Sequence, residues 1–456
     1  MWGAGVRWRV EESQEQVTLL RDDMNRWFGK WRTEDRVRAH ASQLKALRTS
    51  IETVLGKIAD GLPRSGSDMA VGEIYDNCRE NDKRTAHVLR LWRFFADKFD
   101  QRFDPAEAAA LAAADEIGWS CFAAAAGYQG WTAAAPLAYF DARYAPTAFT
   151  REETPADLRP ADALLRQHVR LLPIPLIALP RVCVDRPWWL ILLAHEVGHQ
   201  VQHAIGGGLT EAFADAIGDL ADDAKAARGL WRGWSQELFA DAFGVLTAGG
   251  WVAWAVSELE RTTPEGMLLS ADNRYPPPLV RAGFMAGVAA ASGWAEGPEP
   301  PGAGSGQADW AAAAAIAARV IDQPLGAADG PTLTGLAGLP QPGPDRLTVT
   351  ATWERRVKGF RKVLLSEDPL EADTKHLEAA RLCAAGATAA WHGLLNGEDT
   401  TKAAITRLRD RSRNAISRCQ VEGTRGTPSS PSSVKQASDA LATSLFAADP
   451  LALGVG

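Results

Sequence analysis

His195 and His199 flank Glu196 in the stretch His195-Glu196-Val197-Gly198-His199. Residues four apart share a face of an α-helix, so both imidazoles can point at one divalent cation with Glu196 beside them. Such a site can activate water and supply a base to deprotonate it, the chemistry of zinc-dependent hydrolysis. The preceding run Pro187-Trp188-Trp189-Leu190-Ile191-Leu192-Leu193-Ala194 carries no charge, which predicts a buried helix whose histidines face a cleft.

Zinc needs a third protein ligand. His203 is eight residues from His195, or about 12 Å along a straight helix at ~1.5 Å per residue. Metal bonds of about 2.1 Å cannot span that gap, so His203 is expected around the site or on the helix surface. Gln202 occupies the position where a glycine would have to break the helix for a third histidine to return. Gly206, Gly207 and Gly208 should end the motif helix. Beyond them, Glu211 with Asp215 and Glu237 with Asp241 each place two carboxylates on one helical face. Glu211, Asp215 and Glu237 are all candidates for the third ligand. Glu237, 38 residues past His199, has room to approach on a separate helix, whereas a chain that has just reversed leaves Glu211 near the far end of the motif helix. In that arrangement Asp241 would orient a ligand histidine through its outer nitrogen.

Histidines and glutamate in this pattern followed by a distant Glu-x-x-x-Asp helix resemble the gluzincin zinc metallopeptidases. Ala194 to His199 followed by His203 looks like the ImmA/IrrE-type branch. Glu237-Leu238-Phe239-Ala240-Asp241 is similar to the ExxAD segment of the CAAX-protease and HtpX-like branch. Tyr275-Pro276-Pro277-Pro278-Leu279-Val280-Arg281 resembles the HPxxxxR segment of the latter, with Tyr275 in place of its histidine. The resemblance covers roughly residues 170–285. It implies a zincin-like core, His195, His199 and Glu237 as metal ligands, and Glu196 as general base; the tetrahedral oxyanion needs a further donor, for which Tyr275 or Arg281 is the candidate, the rival reading of that segment being a rigid loop with a structural Arg281 salt bridge. It also implies a polypeptide substrate added beside a sheet edge. The rival expectation from another class is a non-catalytic zinc scaffold in a regulatory or sensor protein. A base at Glu196 would serve no purpose there.

A chain of 456 residues, 46% hydrophobic, is long enough for two or three domains. Its net charge of −7 gives no electrostatic reason to expect nucleic acid or anionic membrane as a partner. The N-terminal residues lack the apolar core of a signal peptide, and no stretch reaches the ~20 apolar residues of a spanning helix. Five cysteines (Cys78, Cys121, Cys183, Cys383 and Cys419) are odd in number and widely spaced. Reduced thiols in a cytoplasmic protein are therefore expected. Cys183, just ahead of the motif, reads as a buried thiol.

The expected fold is mainly α with a small β-sheet. Residues 1–150 read as a helical N-terminal region: Leu44, Leu47, Ile51, Val54 and Ile58 repeat at helical-hairpin spacing, matched by Leu20, Met24, Trp27 and Trp31. This region is a candidate surface for a regulatory protein partner. Asp115 and Glu116 read as helix-surface charge. Residues 128–165 look like a connector. Residues 171–180, with three prolines, read as an edge strand. The metallopeptidase core is expected over 151–295, a linker and Ala-rich helix over 296–345, a C-terminal helical region over 346–420, and a flexible tail over 421–456. Arg407, Arg409, Arg411, Arg413 and Arg418 read as a solvated helix face.

Overall fold

The computed structural model describes residues 3–32, 39–65, 67–125, 135–142, 146–149, 162–172, 174–206, 208–221, 225–270, 274–299, 306–367, 376–397, 401–419, 431–449 and 453. These residues are mainly helical, with one three-stranded sheet. Four helices come first: α1 (Ala4–Arg32), α2 (Ala41–Gly61), α3 (Val71–Asp100) and α4 (Pro105–Ala125). The hairpin stripe in α2 is buried throughout, against Leu20, Met24 and Trp31 of α1 and Phe95 and Phe99 of α3.

The sheet orders β1 (Leu137–Asp141), β3 (Leu176–Pro180) and β2 (Thr147–Phe149), with β3 in the middle. β1 runs parallel and β2 antiparallel to it. The expected edge strand is thus the central one. Pro175 lies just ahead of the strand and Pro180 at its last position, so the interior residues keep their N–H groups for pairing. The connector, in turn, supplies both outer strands. β3 is apolar at every position because the sheet is covered on both faces. Leu176 and Ala178 pack into the core of the N-terminal helices, and Ile177 and Leu179 into the core around the motif.

After α5 (Ala163–Leu171), β3 and α6 (Val182–Asp185), the uncharged run forms a 3₁₀ turn, Pro187–Leu192, rather than helix. The motif helix α7 (Leu193–Ile205) begins directly behind it. Proline at the first position of the turn fixes φ for entry. Gly206, at φ 61°, ends α7. There follow α8 (Leu209–Leu220), α9 (Lys225–Gly233), α10 (Ser235–Ala248), α11 (Trp251–Leu259) and α12 (Pro278–Ser292). Beyond these come α13 (Gln307–Val320), α14 (Leu333–Leu336), α15 (Pro344–Leu365), α16 (Ala379–Leu395), α17 (Lys402–Arg418) and α18 (Pro431–Ala447).

The elements around the motif share a core with α4 and with the C-terminal helices α16 and α17. The Trp188 and Trp391 rings stack 4.6 Å apart, and the Thr388 hydroxyl donates to the Trp188 carbonyl, so α16 braces the turn that feeds α7. Residues 421–430 lie outside the described residues. In the described part of the expected tail, residues 431–449 and 453, α18 lies against α2, burying Val434, Leu441 and Leu445, with Ser438 Oγ 3.1 Å from Ser50 Oγ. Asp115 and Glu116 are also buried rather than on a helix surface. Asp115 accepts from Arg102 Nη2 at 2.7 Å and pairs with His40 Nε2 at 2.9 Å, which explains a carboxylate in an Ala-rich helix. Among the described residues, no helix is long and apolar enough to cross a membrane.

Candidate metal centre

The helices α7 and α10 cross where neither carries bulk. A Cβ on Gly198 would lie 2.7 Å from Ala240 Cα, and one on Gly244 3.2 Å from the His195 backbone nitrogen. This close approach brings Glu237, one turn before Ala240, against the motif face. Glu237 Oε2 lies 3.5 Å from His195 Nε2, and Glu237 Oε1 lies 3.6 Å from His199 Nε2. Donor atoms of the three residues all fall within 4.8 Å of one another, the single such group of histidine, cysteine and acidic side chains found among the described residues. Bonds of about 2.1 Å in a tetrahedron set donors about 3.4 Å apart, close to the two Glu237–histidine separations, so this group could hold one metal ion.

The other two candidates for third ligand lie elsewhere. Asp215 on α8 pairs with Arg232, and Glu211 is exposed. Cys183 is buried outside the cluster, where desolvation pushes its thiol up to about 12. His203 lines the cleft.

Asp241, one turn beyond Glu237, is completely buried, and its Oδ1 accepts from His195 Nδ1 at 2.8 Å. That contact orients the ring and turns Nε2 of His195 towards Glu237. The two histidines consequently titrate in opposite directions. Burial alone would lower both. Asp241 and Glu237 outweigh it at His195 and push it up to about 10, whereas His199, which has no such orienting carboxylate, falls to about 4. Burial would raise Glu237, but His199, His195 and Arg281 hold it well below the usual carboxylate range.

Arg281, at the start of α12, is buried among carboxylates. Its Nε and Nη2 donate to Asp241 at 2.6 and 2.8 Å, its Nη1 donates to Glu260, and its Nη2 stands 3.4 Å from Glu237. Arg281, one of the two candidate oxyanion donors, is thus engaged in salt bridges: one guanidinium grips the carboxylate that contacts His195 and stands against Glu237. Tyr275 lines the same cleft and is 37% exposed.

Glu196 points to the opposite wall. Its Oε2 accepts the backbone N–H of Ala148 on β2 at 2.5 Å. Desolvation pushes its carboxyl up to about 7, with Glu237 adding to the rise and His195 opposing it. The cleft, about 240 Å³, lies between this strand, α7, α10 and the α11–α12 corner. Leu192, Val256 and Leu259 supply apolar wall.

Sequence reasoning misses two contributors. Ala148 sits in a three-residue strand, too short for an alternation signal. Glu260 follows the apolar run of α11 and belongs to no motif. The only trace it leaves is that this run ends on a carboxylate.

Comparison with protein-family models, with curated proteins and with solved structures finds no match.

Proposed function

We propose that this chain is a zinc-dependent metallopeptidase of gluzincin type with a zincin-like core, acting on a polypeptide substrate. The observation that carries the reading is the convergence of His195, His199 and Glu237 from two helices on a cleft that also holds Glu196. A structural zinc site is closed by protein ligands. Here three donors face a cavity, and the group beside them is a base.

His195, His199 and Glu237 would hold the ion, with Asp241 and Arg281 orienting them. Zinc bound there would supply Lewis acidity towards water and a carbonyl oxygen. Glu196 takes the proton of the attacking water as the C–O bond forms. It returns that proton to the amide nitrogen as the C–N bond breaks. The Ala148 N–H steadies its Oε2 during both transfers. Arg281 is engaged by carboxylates, and Tyr275, which lines the same cleft, donates to the oxyanion. Leu192, Val256 and Leu259 exclude water and favour an uncharged substrate side chain. In the pairing register, β2 lies at one edge of the sheet beside Glu196, where an extended peptide can add as a further strand.

Glu196→Gln tests the reading. Metal content measured on the purified protein should stay at one ion per chain, while hydrolysis of a mixed peptide library should fall by roughly 10²-fold or more. A wild-type protein that holds one zinc and cleaves nothing in the library would favour the scaffold reading. A wild-type protein without stoichiometric metal would end both.

A further inference from the structure

A second cleft, about 700 Å³, lies on the far side of the α11–α12 corner from the metal cluster. Three aromatic rings meet at one end. Trp251 and Trp254 of α11 have centroids 6.3 Å apart, and the His392 ring of α16 lies 5.3 and 5.1 Å from them. Asn396 Nδ2 is 2.9 Å from His392 Nε2 and holds that ring in place. Trp310 of α13 adds a fourth aromatic wall. All three indoles are at most partly exposed.

The charges lining this cleft are acidic apart from Arg261. Glu258 pairs with Arg261 at 2.8 Å, cancelling each other. Glu296 and Glu299 also line the cleft, and no cation is paired with either among the described residues. The aromatic faces carry negative quadrupole potential, and the two carboxylates extend it. A cation is drawn to that potential, and an anion is repelled. A cleft of this volume is in the size range of a small-molecule site.

We propose that this cleft binds an organic cation, an alkylammonium or guanidinium group on a compact body, seated against Trp251 and Trp254 and neutralised by Glu296 and Glu299. The chemistry is the same whether the cation is a free small molecule or the side chain of a basic peptide.

Isothermal titration of the full-length protein with choline and with Nα-acetylarginine amide separates the two sources. 3,3-Dimethyl-1-butanol, which carries carbon in place of the choline nitrogen, serves as the neutral control. At least one cation should bind saturably and at least ten-fold more tightly than the control. Trp254→Ala and the surface double variant Glu296→Gln/Glu299→Gln should each weaken it at least ten-fold, with Trp254→Phe restoring most of the loss. Binding of choline alone assigns a small-molecule cation, and binding of the arginine amide alone a peptide-borne one. The proposal fails if the butanol binds as well as choline, if neither cation binds at millimolar concentration, or if the glutamine variant binds unchanged. Metal content is measured alongside and should not move, so failure here is distinct from failure of the metallopeptidase reading.

Discussion

At the scale of single residues, the cluster is a hierarchy in which each side chain is held by the next. His195 is oriented by Asp241, Asp241 is gripped by two nitrogens of Arg281, and Arg281 is held in turn by Glu260. His195, Asp241 and Arg281 are buried, where an unpaired charge would cost several kcal/mol; each is paired instead. Asp241→Asn keeps the shape but replaces an acceptor with an amide that can present a donor to His195 Nδ1. Zinc affinity, measured by competition with a chromophoric chelator, should fall roughly 10- to 100-fold. An unchanged affinity would mean that packing alone sets the ring.

At the scale of elements, the approach of α7 and α10 decides whether the three donors meet. Gly198 faces the Ala240 backbone at a separation no side chain tolerates. Alanine would gain up to about 1 kcal/mol of helix propensity, yet overpacking against unyielding backbone costs roughly 1–3 kcal/mol. Gly198→Ala should therefore lower stability in urea denaturation and also weaken metal binding, because separating the helices pulls Glu237 from both histidines. Alanine accepted with full stability and affinity would show that the crossing has slack. Gly198 is part of the motif, but its partner could not be read from the sequence: nothing in a string of residues says that position 240 will lie against it.

At the scale of the whole molecule, the two cores meet at the sheet, and the C-terminal helix α18 returns to the N-terminal bundle. A buried pair secures that return. His87 Nε2 lies 2.9 Å from His168 Nδ1, and His168 Nε2 lies 3.0 Å from Ser444 Oγ on α18. Burial lowers His87 to about 4 and, with the neighbouring His87, His168 to about 3. Both folded-state values lie below the unfolded value of about 6.5. The unfolded chain therefore binds protons first as pH falls, and stability is full above about 6.5 and declines from there towards about 4 for His87 and about 3 for His168. Each ring contributes a slope of up to about 1.4 kcal/mol per pH unit. Urea midpoints at pH 7 and pH 5 should show the decline, and His168→Gln should flatten it. Equal slopes in both proteins would remove the pair as its cause.

The donors' chemistry and their local spacing are legible in the order of residues alone. His195 and His199 share a face because four residues make about one turn, Glu237 and Asp241 do so for the same reason, and the glycines after Ile205 stop the helix. The order of residues also showed the helical character of the N-terminal stripe, since burial of one face leaves a 3.6-residue period. What it could not supply was whatever depends on distant chain segments meeting. The contact of Glu237, rather than Asp215 or Glu211, with both histidines is made by the α7–α10 crossing. Arg281 becomes a clamp only because α12 and the end of α11 bring it between Asp241 and Glu260. The proline-flanked strand is central only because both neighbours come from a stretch too short and irregular to announce strands. Periodicity is written along the chain, but proximity across it is set by packing, and packing is a property of the folded whole.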